Sequence, residues 1–143
     1  MFKTGTGGAR EDRCVNDTSP QEGTAMPALA NLATVILDCA DPAALAGFYS
    51  TVTGWPQTYA DDDFVFIGDG GVQLGFQRVE GYRPAGWPDP AKHAHLDFKV
   101  SDVDGAVPAL LAAGAAKPEF QPGKGSWVVL TDPEGHPFCL TAG

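Results

Sequence analysis

The chain has 143 residues, of which 43% are hydrophobic and 19% charged, a composition that fits one folded domain rather than two independent cores. Eighteen acidic against nine basic side chains give a formal charge of -9, which disfavours nucleic acid as a partner because its phosphates would be repelled. No apolar run approaches the ~20 residues of a membrane helix, and the N-terminus lacks the hydrophobic block of a secretory signal, so we expect a cytoplasmic protein without a membrane partner.

Residues 1–26 show neither a helical nor a strand period and predict a disordered N-terminal tail, with the domain occupying residues 27–143. Met26 stands just before the first sustained hydrophobic pattern and is a candidate translation start. Three scattered cysteines and no CxxC pair predict reduced thiols rather than disulfides or structural zinc.

A first module is predicted over about residues 32–80. The β-branched stretch from Thr34 predicts a strand, and Asp41 and Pro42 mark the start of a helix that Gly54 ends. Three short strands are predicted to follow, over residues 57–60, 64–68 and 72–79.

A polar, proline-rich connector over residues 81–92 leads to a second module over about residues 93–142. This module repeats the plan with a strand over 93–100 and a helix that ends at Gly114. Setting the segment from Ala33 over the segment from Ala94 matches strand with strand and helix with helix, which predicts an internal duplication. The remaining strands are predicted around residues 117–121, 126–131 and 138–142.

Three motifs, LDCADPAALAGFYSTVTGWP, HLDFKVSDVDGAV and TDPEGHPFCL, together resemble the vicinal oxygen chelate superfamily, which groups glyoxalase I, bleomycin-resistance proteins and extradiol dioxygenases. The likeness covers Leu32 to Leu140 and is closest to the glyoxalase-like branch. It implies an α+β fold of two β-α-β-β-β modules whose strands form a curled mixed sheet around an open cup, usually within a homodimer.

Strand alternation divides the side chains between two faces of each sheet. One face should pack under the helices, and it carries Val35, Leu37, Cys39, Val72, Leu74, Phe76, Leu96, Phe98, Val100, Phe138 and Leu140. The other should face the cup, and it carries Thr34, Ile36, Asp38, Gln73, Gly75, Gln77, His95, Asp97, Lys99, Cys139 and Thr141.

The resemblance also implies a divalent metal held by side chains at Thr34, at Gly75 or Gln77, at His95 and at Cys139. Among these only His95 is a conventional ligand, because Thr34 is a weak neutral donor, Gly75 has no side chain and a cysteine stands where a glutamate is usual. The conventional set is incomplete, so we expect no cofactor. The alternative is a divalent metal on His95 and Cys139, with Asp97 or Gln77 as a further ligand.

Two functions follow from these residues. The first is a binding protein that sequesters or carries a hydrophobic or aromatic small molecule in the cup; its predicted lining is Thr34, Ile36, Gln73, Gln77, Trp87, Trp127 and Cys139, with both tryptophans stacking on a planar ligand. The alternative is an enzyme of lyase, isomerase or dioxygenase type that uses a non-standard metal site, or His95 and Asp97 as general base and acid. A third alternative is a non-catalytic component of a dimer, whose cup is filled by its own side chains.

Two further expectations concern charge and His136. The acidic balance argues against a highly anionic ligand, because Arg78 and Lys99 are the obvious cations near the rim. His136, in the turn PEGHPF, is expected to hydrogen-bond the turn backbone rather than act in catalysis.

Overall fold

The computed structural model describes residues 28–143, so the tail predicted over residues 1–26 lies outside the described part of the chain. The first module contains β1 (Thr34–Cys39), α1 (Pro42–Thr53), β2 (Gln57–Ala60), β3 (Phe64–Ile67) and β4 (Gln73–Arg78). The second contains β5 (Leu96–Val100), α2 (Val103–Ala113), β6 (Trp127–Thr131) and β7 (Pro137–Ala142). No helix among these residues is long and apolar enough to cross a membrane.

The two sheets share the arrangement of their first and last strands but differ in size, with four strands in the first and three in the second. In the first sheet the strand order is β1-β4-β3-β2, with β1 parallel to β4 and β3 antiparallel to both neighbours. The second sheet has the order β5-β7-β6, with β5 parallel to β7 and β6 antiparallel to it. In each module the first strand therefore lies beside the last, and the predicted α+β fold with mixed, open sheets is confirmed.

Helix α1 begins and ends at the residues that the sequence marks. The Asp41 side chain accepts a hydrogen bond from the Ala44 backbone N–H, and Pro42 occupies the first turn. Gly54 closes the helix with φ 74°, a left-handed conformation that favours glycine. Helix α2 also ends at a glycine, Gly114, but with φ 121° rather than a left-handed helical conformation, and Asp102 at its start makes no capping hydrogen bond.

A single aromatic core joins the two sheets through α1. Tyr49 of α1 is fully buried and stacks on Phe76 of the first sheet at 5.6 Å and on Phe98 of the second at 6.3 Å between ring centroids. Phe138 of β7, also fully buried, lies 6.0 Å from the ring of Phe48. Both sheets thus depend on the same buried side chains for their stability.

Two predictions about strands are wrong. Residues 117–121 form no strand; instead Ala116 makes an isolated bridge to Thr131, and the Gln121 side chain bonds the backbone N–H and C=O of Val129 at 2.9 Å each. Pro118 and Pro122 explain the failure, since neither has an N–H for a strand ladder. Val72 precedes β4 and is 40% exposed rather than buried in the core.

Candidate functional site

The first sheet has one face covered by α1 and one face opposite it, which we call the open face. Leu37, Val65, Ile67, Leu74 and Phe76 point toward α1 and belong to the core or pack against it. Alternation places Thr34, Ile36, Asp38, Gln73, Gly75 and Gln77 on the open face, as predicted. It also places Phe64 and Phe66 there, which the sequence analysis did not select.

Tyr59 of β2 pairs with Phe66 of β3. Together with Ile36, Phe64 and Phe66 it forms what we call the aromatic wall. The rings of Phe64 and Phe66 stack with centroids 6.1 Å apart, and Tyr59 lies 5.9 Å from Phe66. Tyr59 and Ile36 remain 50% and 40% exposed. A contiguous apolar surface that the fold itself leaves exposed is typical of a binding site.

Gly75 allows the wall to lie flat. It sits between Ile36 on β1 and Phe66 on β3 in the register of the sheet. A Cβ atom at Gly75 would come within 2.5 Å of a ring carbon of Phe66 and 2.6 Å of the Ile36 Cδ1. Close packing across the sheet therefore requires glycine at this position, because the side chains of Phe66 and Ile36 occupy the space that a Cβ atom would need.

His95, Asp97 and Cys139 converge on the second sheet. Asp97 on β5 pairs with Cys139 on β7, and His95 lies immediately before β5 rather than within it. The His95 Nε2 is 3.2 Å from the Asp97 Oδ1, so the two side chains are within ion-pairing distance. One donor atom from each of the three residues falls within 4.8 Å of the others.

The donor set of this cluster fits a divalent metal in its chemistry. Imidazole, carboxylate and thiolate are all zinc ligands, and three protein ligands leave a coordination position for a substrate or water. Burial raises the pKa of the Cys139 thiol, and the charge of Asp97 raises it further, so the thiolate needs a bound cation to form near neutral pH.

The first sheet cannot supply ligands to one metal ion from both Thr34 and Gln77, its two predicted ligand positions that carry a side chain. Thr34 pairs with Gln73, whereas Gln77 pairs with Asp38, so Thr34 and Gln77 lie four positions apart in the β1-β4 register. That separation is about 13 Å along the strands. A single metal ion therefore cannot bind the side chains of both Thr34 and Gln77.

The two predicted tryptophans occupy different settings. The Trp87 indole N–H donates to the Phe120 carbonyl at 3.0 Å, and the Lys92 ammonium lies 4.8 Å from its ring centroid. Trp87 lines a shallow pocket of about 540 Å³ with Phe120 and flanking prolines. Trp127 is 39% exposed on β6, opposite Thr141 of β7. Their stacking on a ligand stays a prediction.

A buried network centred on Asp132 joins the β6-β7 turn to α1. Asp132 is only 3% exposed, and its carboxylate accepts a hydrogen bond from the Tyr49 hydroxyl at 2.7 Å. The same carboxylate accepts the backbone N–H groups of Glu134 and His136 at 2.8 and 3.0 Å. It also bonds the His136 Nδ1 at 2.8 Å, so the histidine contacts a carboxylate in addition to its turn.

The charge of His136 follows from its partners. Its Nδ1 faces the Asp132 carboxylate, and its Nε2 lies 2.7 Å from the Asp38 carbonyl oxygen. The carboxylate and the carbonyl can only accept, so hydrogen bonds to both require a hydrogen on each ring nitrogen, which is the imidazolium form; the Tyr82 hydroxyl also lies 2.9 Å from Nε2 and can accept there. Burial disfavours that charge, but the hydrogen bonds and the charge of Asp132 outweigh it and raise the pKa of His136.

Glu134 holds the same turn against the start of α1. Its carboxylate accepts hydrogen bonds from the backbone N–H groups of Ala40 at 3.1 Å and Asp41 at 2.8 Å. A carboxylate at the N-terminus of a helix is favoured by the unpaired N–H groups there. Sequence reasoning missed these contacts because more than ninety residues separate the partners.

Comparisons with known proteins agree with this architecture. A family model described as a glyoxalase-like domain matches residues 34–141. No curated protein matches the chain. Among solved structures, a glyoxalase/bleomycin resistance protein/dioxygenase family enzyme from Burkholderia phytofirmans PsJN is 26% identical, with a TM-score of 0.61 over 79% of this chain and 98% of that one.

Two further structures share the fold at lower identity. A glyoxalase-related enzyme from Fulvimarina pelagi is 24% identical, with a TM-score of 0.60 over 80% of this chain and 89% of that one. A bleomycin-binding protein from Streptomyces verticillus, complexed with copper(II)-bleomycin, is 22% identical, with a TM-score of 0.53 over 82% of this chain and 99% of that one. At these identities the likeness shows the fold alone.

Proposed function

Because this chain belongs to the glyoxalase-like domain family, we propose that it binds a hydrophobic or aromatic small molecule on the open face of its first sheet, without converting it. The observation that carries the proposal is the aromatic wall. Its Tyr59 and Ile36 are half or nearly half exposed, although they stand beside stacked phenylalanines in a regular sheet. Covering such a surface with a planar ligand would remove apolar area from water.

Polar side chains beside the wall supply orientation. Gln73 and Gln77 lie on β4 on either side of Gly75, and Thr34 pairs with Gln73 across the sheet. The Thr58 hydroxyl donates to the Gln73 side-chain oxygen, which fixes the direction of that amide. A few placed polar groups within an apolar surface are what small-molecule sites generally provide. The fold shared with a bleomycin-binding protein supports binding as a function of this architecture.

The wall is tested with Nile red, a neutral apolar dye, and with copper(II)-bleomycin as a second probe. Phe66→Ala is expected to weaken binding about tenfold or more, because it removes the central ring of the wall. Gly75→Ala is expected to act in the same direction, since its Cβ displaces that ring. Fluorescence titration with Nile red and calorimetry with copper(II)-bleomycin give the dissociation constants.

Phe120→Ala is the matched control, because Phe120 is 53% exposed but lies outside the wall. It should leave both affinities within about twofold of the parent protein. Equal losses in the Phe66 and Phe120 variants would place the binding elsewhere. Failure of both probes to bind the parent protein would remove this function from the open face.

The second candidate function is an enzyme of the same superfamily, favoured by the convergence of His95, Asp97 and Cys139. These three residues would hold a divalent metal, and such an ion would supply Lewis-acid activation of a bound oxygen atom. The chain itself places the His95 imidazole 3.2 Å from the Asp97 carboxylate, which can orient the ring. Without the metal, the same pair suits proton transfer.

The metal site is tested by loading the protein with zinc or cobalt and measuring bound metal per chain by elemental mass spectrometry after gel filtration. We expect near-stoichiometric metal in the parent protein, and a loss of most of it in His95→Ala and Cys139→Ser. Cobalt should also show a thiolate charge-transfer band that Cys139→Ser abolishes. His93→Ala is the matched control, because His93 is exposed and outside the cluster. Metal retained without His95 would contradict the assignment.

Homodimer formation and a cytoplasmic location stay predictions for this protein. An exposed aromatic wall is also a surface that a second copy of the chain could cover. Sedimentation of the parent protein and of Phe66→Ala, each with and without Nile red, separates the two uses of the surface. A dimer that dissociates only in the variant would assign the wall to subunit contact.

A further inference from the structure

A pocket that shares Ile36 with the aromatic wall but none of its rings lies where the connector crosses the second half of β1. We call it the connector pocket; its volume is about 340 Å³. One side is β1 from Ile36 to Asp38, a second is the β6-β7 turn from Gly135 to Pro137, and the connector forms the rest. The connector rests on the turn at Gly135, where an added Cβ would come within 2.8 Å of the Pro84 ring. This contact fixes the outer wall of the pocket.

The lining is basic although the protein is acidic. Arg83, Lys92, His93 and His136 line the connector pocket, and Asp38 is its one acidic residue among the described part of the chain. The whole chain carries a formal charge of -9. Cations gathered in a concave, partly desolvated site raise the local concentration of anions whatever the net charge of the molecule. The expectation drawn from net charge against an anionic ligand therefore does not extend to this pocket.

Tyr82 and His136 form a hydrogen-bonding floor. Their rings stack with centroids 5.4 Å apart, and the Tyr82 hydroxyl lies 2.9 Å from the His136 Nε2. That nitrogen carries a hydrogen, because it also faces the Asp38 carbonyl oxygen at 2.7 Å. With that hydrogen on Nε2, the Tyr82 oxygen can share it only as a second acceptor beside the Asp38 carbonyl, so the hydroxyl hydrogen of Tyr82 can be donated to a group in the pocket.

A smaller apolar cavity of about 120 Å³ continues from the pocket. It shares Ile36, Leu37 and His136 with the connector pocket, extends to the ring of Tyr49 and is also lined by His95 of the candidate metal cluster. A ligand with a charged end and a short apolar body could place the first against Arg83 and the second in this cavity. The connector pocket is lined by basic side chains and the smaller cavity mainly by apolar ones, so the two together favour an amphiphilic anion.

We propose that the connector pocket binds the oxyanion group of a small molecule, a carboxylate or a phosphate, through Arg83, with Lys92 at its edge and the Tyr82 hydroxyl donating from the floor. Arg83 supplies a planar guanidinium that matches two oxygens of either group. Lys92 adds charge from beside Trp87, where its ammonium lies 4.8 Å from the ring centroid. This site is additional to the aromatic wall and does not depend on the function proposed for it.

Calorimetric titration of the full chain at low ionic strength tests the site, with inorganic phosphate and benzoate as the anionic probes and benzamide as the neutral counterpart of benzoate. We expect saturable binding of at least one anion and none of benzamide. Arg83→Gln with Lys92→Gln should weaken that binding about tenfold or more, and Tyr82→Phe should weaken it by a smaller factor. Benzoate binding alone identifies a carboxylate site, and phosphate binding alone identifies a phosphate site.

Lys117→Gln with Lys124→Gln is the matched control, because it removes the same two positive charges from exposed residues outside the pocket. It should leave anion binding within about twofold. An equal loss in this control variant, or no saturable binding of either anion to the parent protein, would overturn the proposal. Phe66→Ala should leave anion binding unchanged, so failure at the aromatic wall and failure at the connector pocket give different results.

Discussion

Asp132→Ala is expected to lower the free energy of unfolding by about 3–5 kcal/mol, the range for breaking one side of a buried ion pair. The substitution leaves the His136 imidazolium without its counter-charge and the fully buried Tyr49 hydroxyl without its acceptor. Two backbone N–H groups of the β6-β7 turn also lose their partner. Urea unfolding at neutral pH measures the change. Asp69→Ala, at an exposed turn, is the control and should cost less than about 0.5 kcal/mol.

The pH dependence of unfolding separates loss of the ion pair from general damage. Because the pKa of folded His136 is raised above 6.5, its protonation stabilises the folded state fully below that pH, and this contribution is lost as pH rises through the raised pKa. Asp132→Asn keeps the side-chain size but removes the charge that raises the pKa. The stability gap between parent and Asp132→Asn should therefore be largest below pH 6.5 and shrink as the pH rises through the raised pKa of His136. A constant gap would contradict a charged His136.

Alternation in the sequence was enough to orient the strands that matter for the site. It placed Ile36, Gln73 and Gly75 on one face of the first sheet, and Asp97 with Cys139 on one face of the second, and the structure agrees. The same alternation applied to FVFI predicts Phe64 and Phe66 on one face and Val65 and Ile67 on the other. The structure agrees, because Val65 and Ile67 are buried in the core. The two phenylalanines of the aromatic wall were therefore predictable from the sequence.

Contacts between residues far apart in the chain could not be predicted from the sequence. His136 sits in a turn, and its sequence neighbours give no sign that its Nε2 meets the Asp38 carbonyl of β1. The Trp87 indole N–H is likewise held by Phe120, thirty-three residues away. The strand predicted over residues 117–121 failed for a local reason that the sequence shows, since Pro118 lies within it and Pro122 directly follows it. Local chemistry was thus predictable where long-range partners were not.

Phe138→Ala is expected to lower the free energy of unfolding by about 3–5 kcal/mol, because truncating a fully buried phenylalanine removes its contacts and leaves a cavity. Phe138 lies 6.2 Å from the ring of Tyr49 and 5.8 Å from that of Phe98, so the cavity opens where α1 meets the second sheet. Phe120→Ala, which truncates the same residue type at an exposed position, should cost less than about 1 kcal/mol.

The same experiment tests whether the two modules share one core. Since Tyr49 packs against both sheets, neither sheet can lose its packing without exposing side chains of the other. Urea unfolding of the parent protein should give one transition, with the same midpoint by far-ultraviolet circular dichroism and by tryptophan fluorescence. Phe138→Ala should shift both midpoints together to lower urea. Two separate midpoints in the parent protein would mean that each module is stable without the other, and the aromatic contacts across α1 would then contribute little to folding.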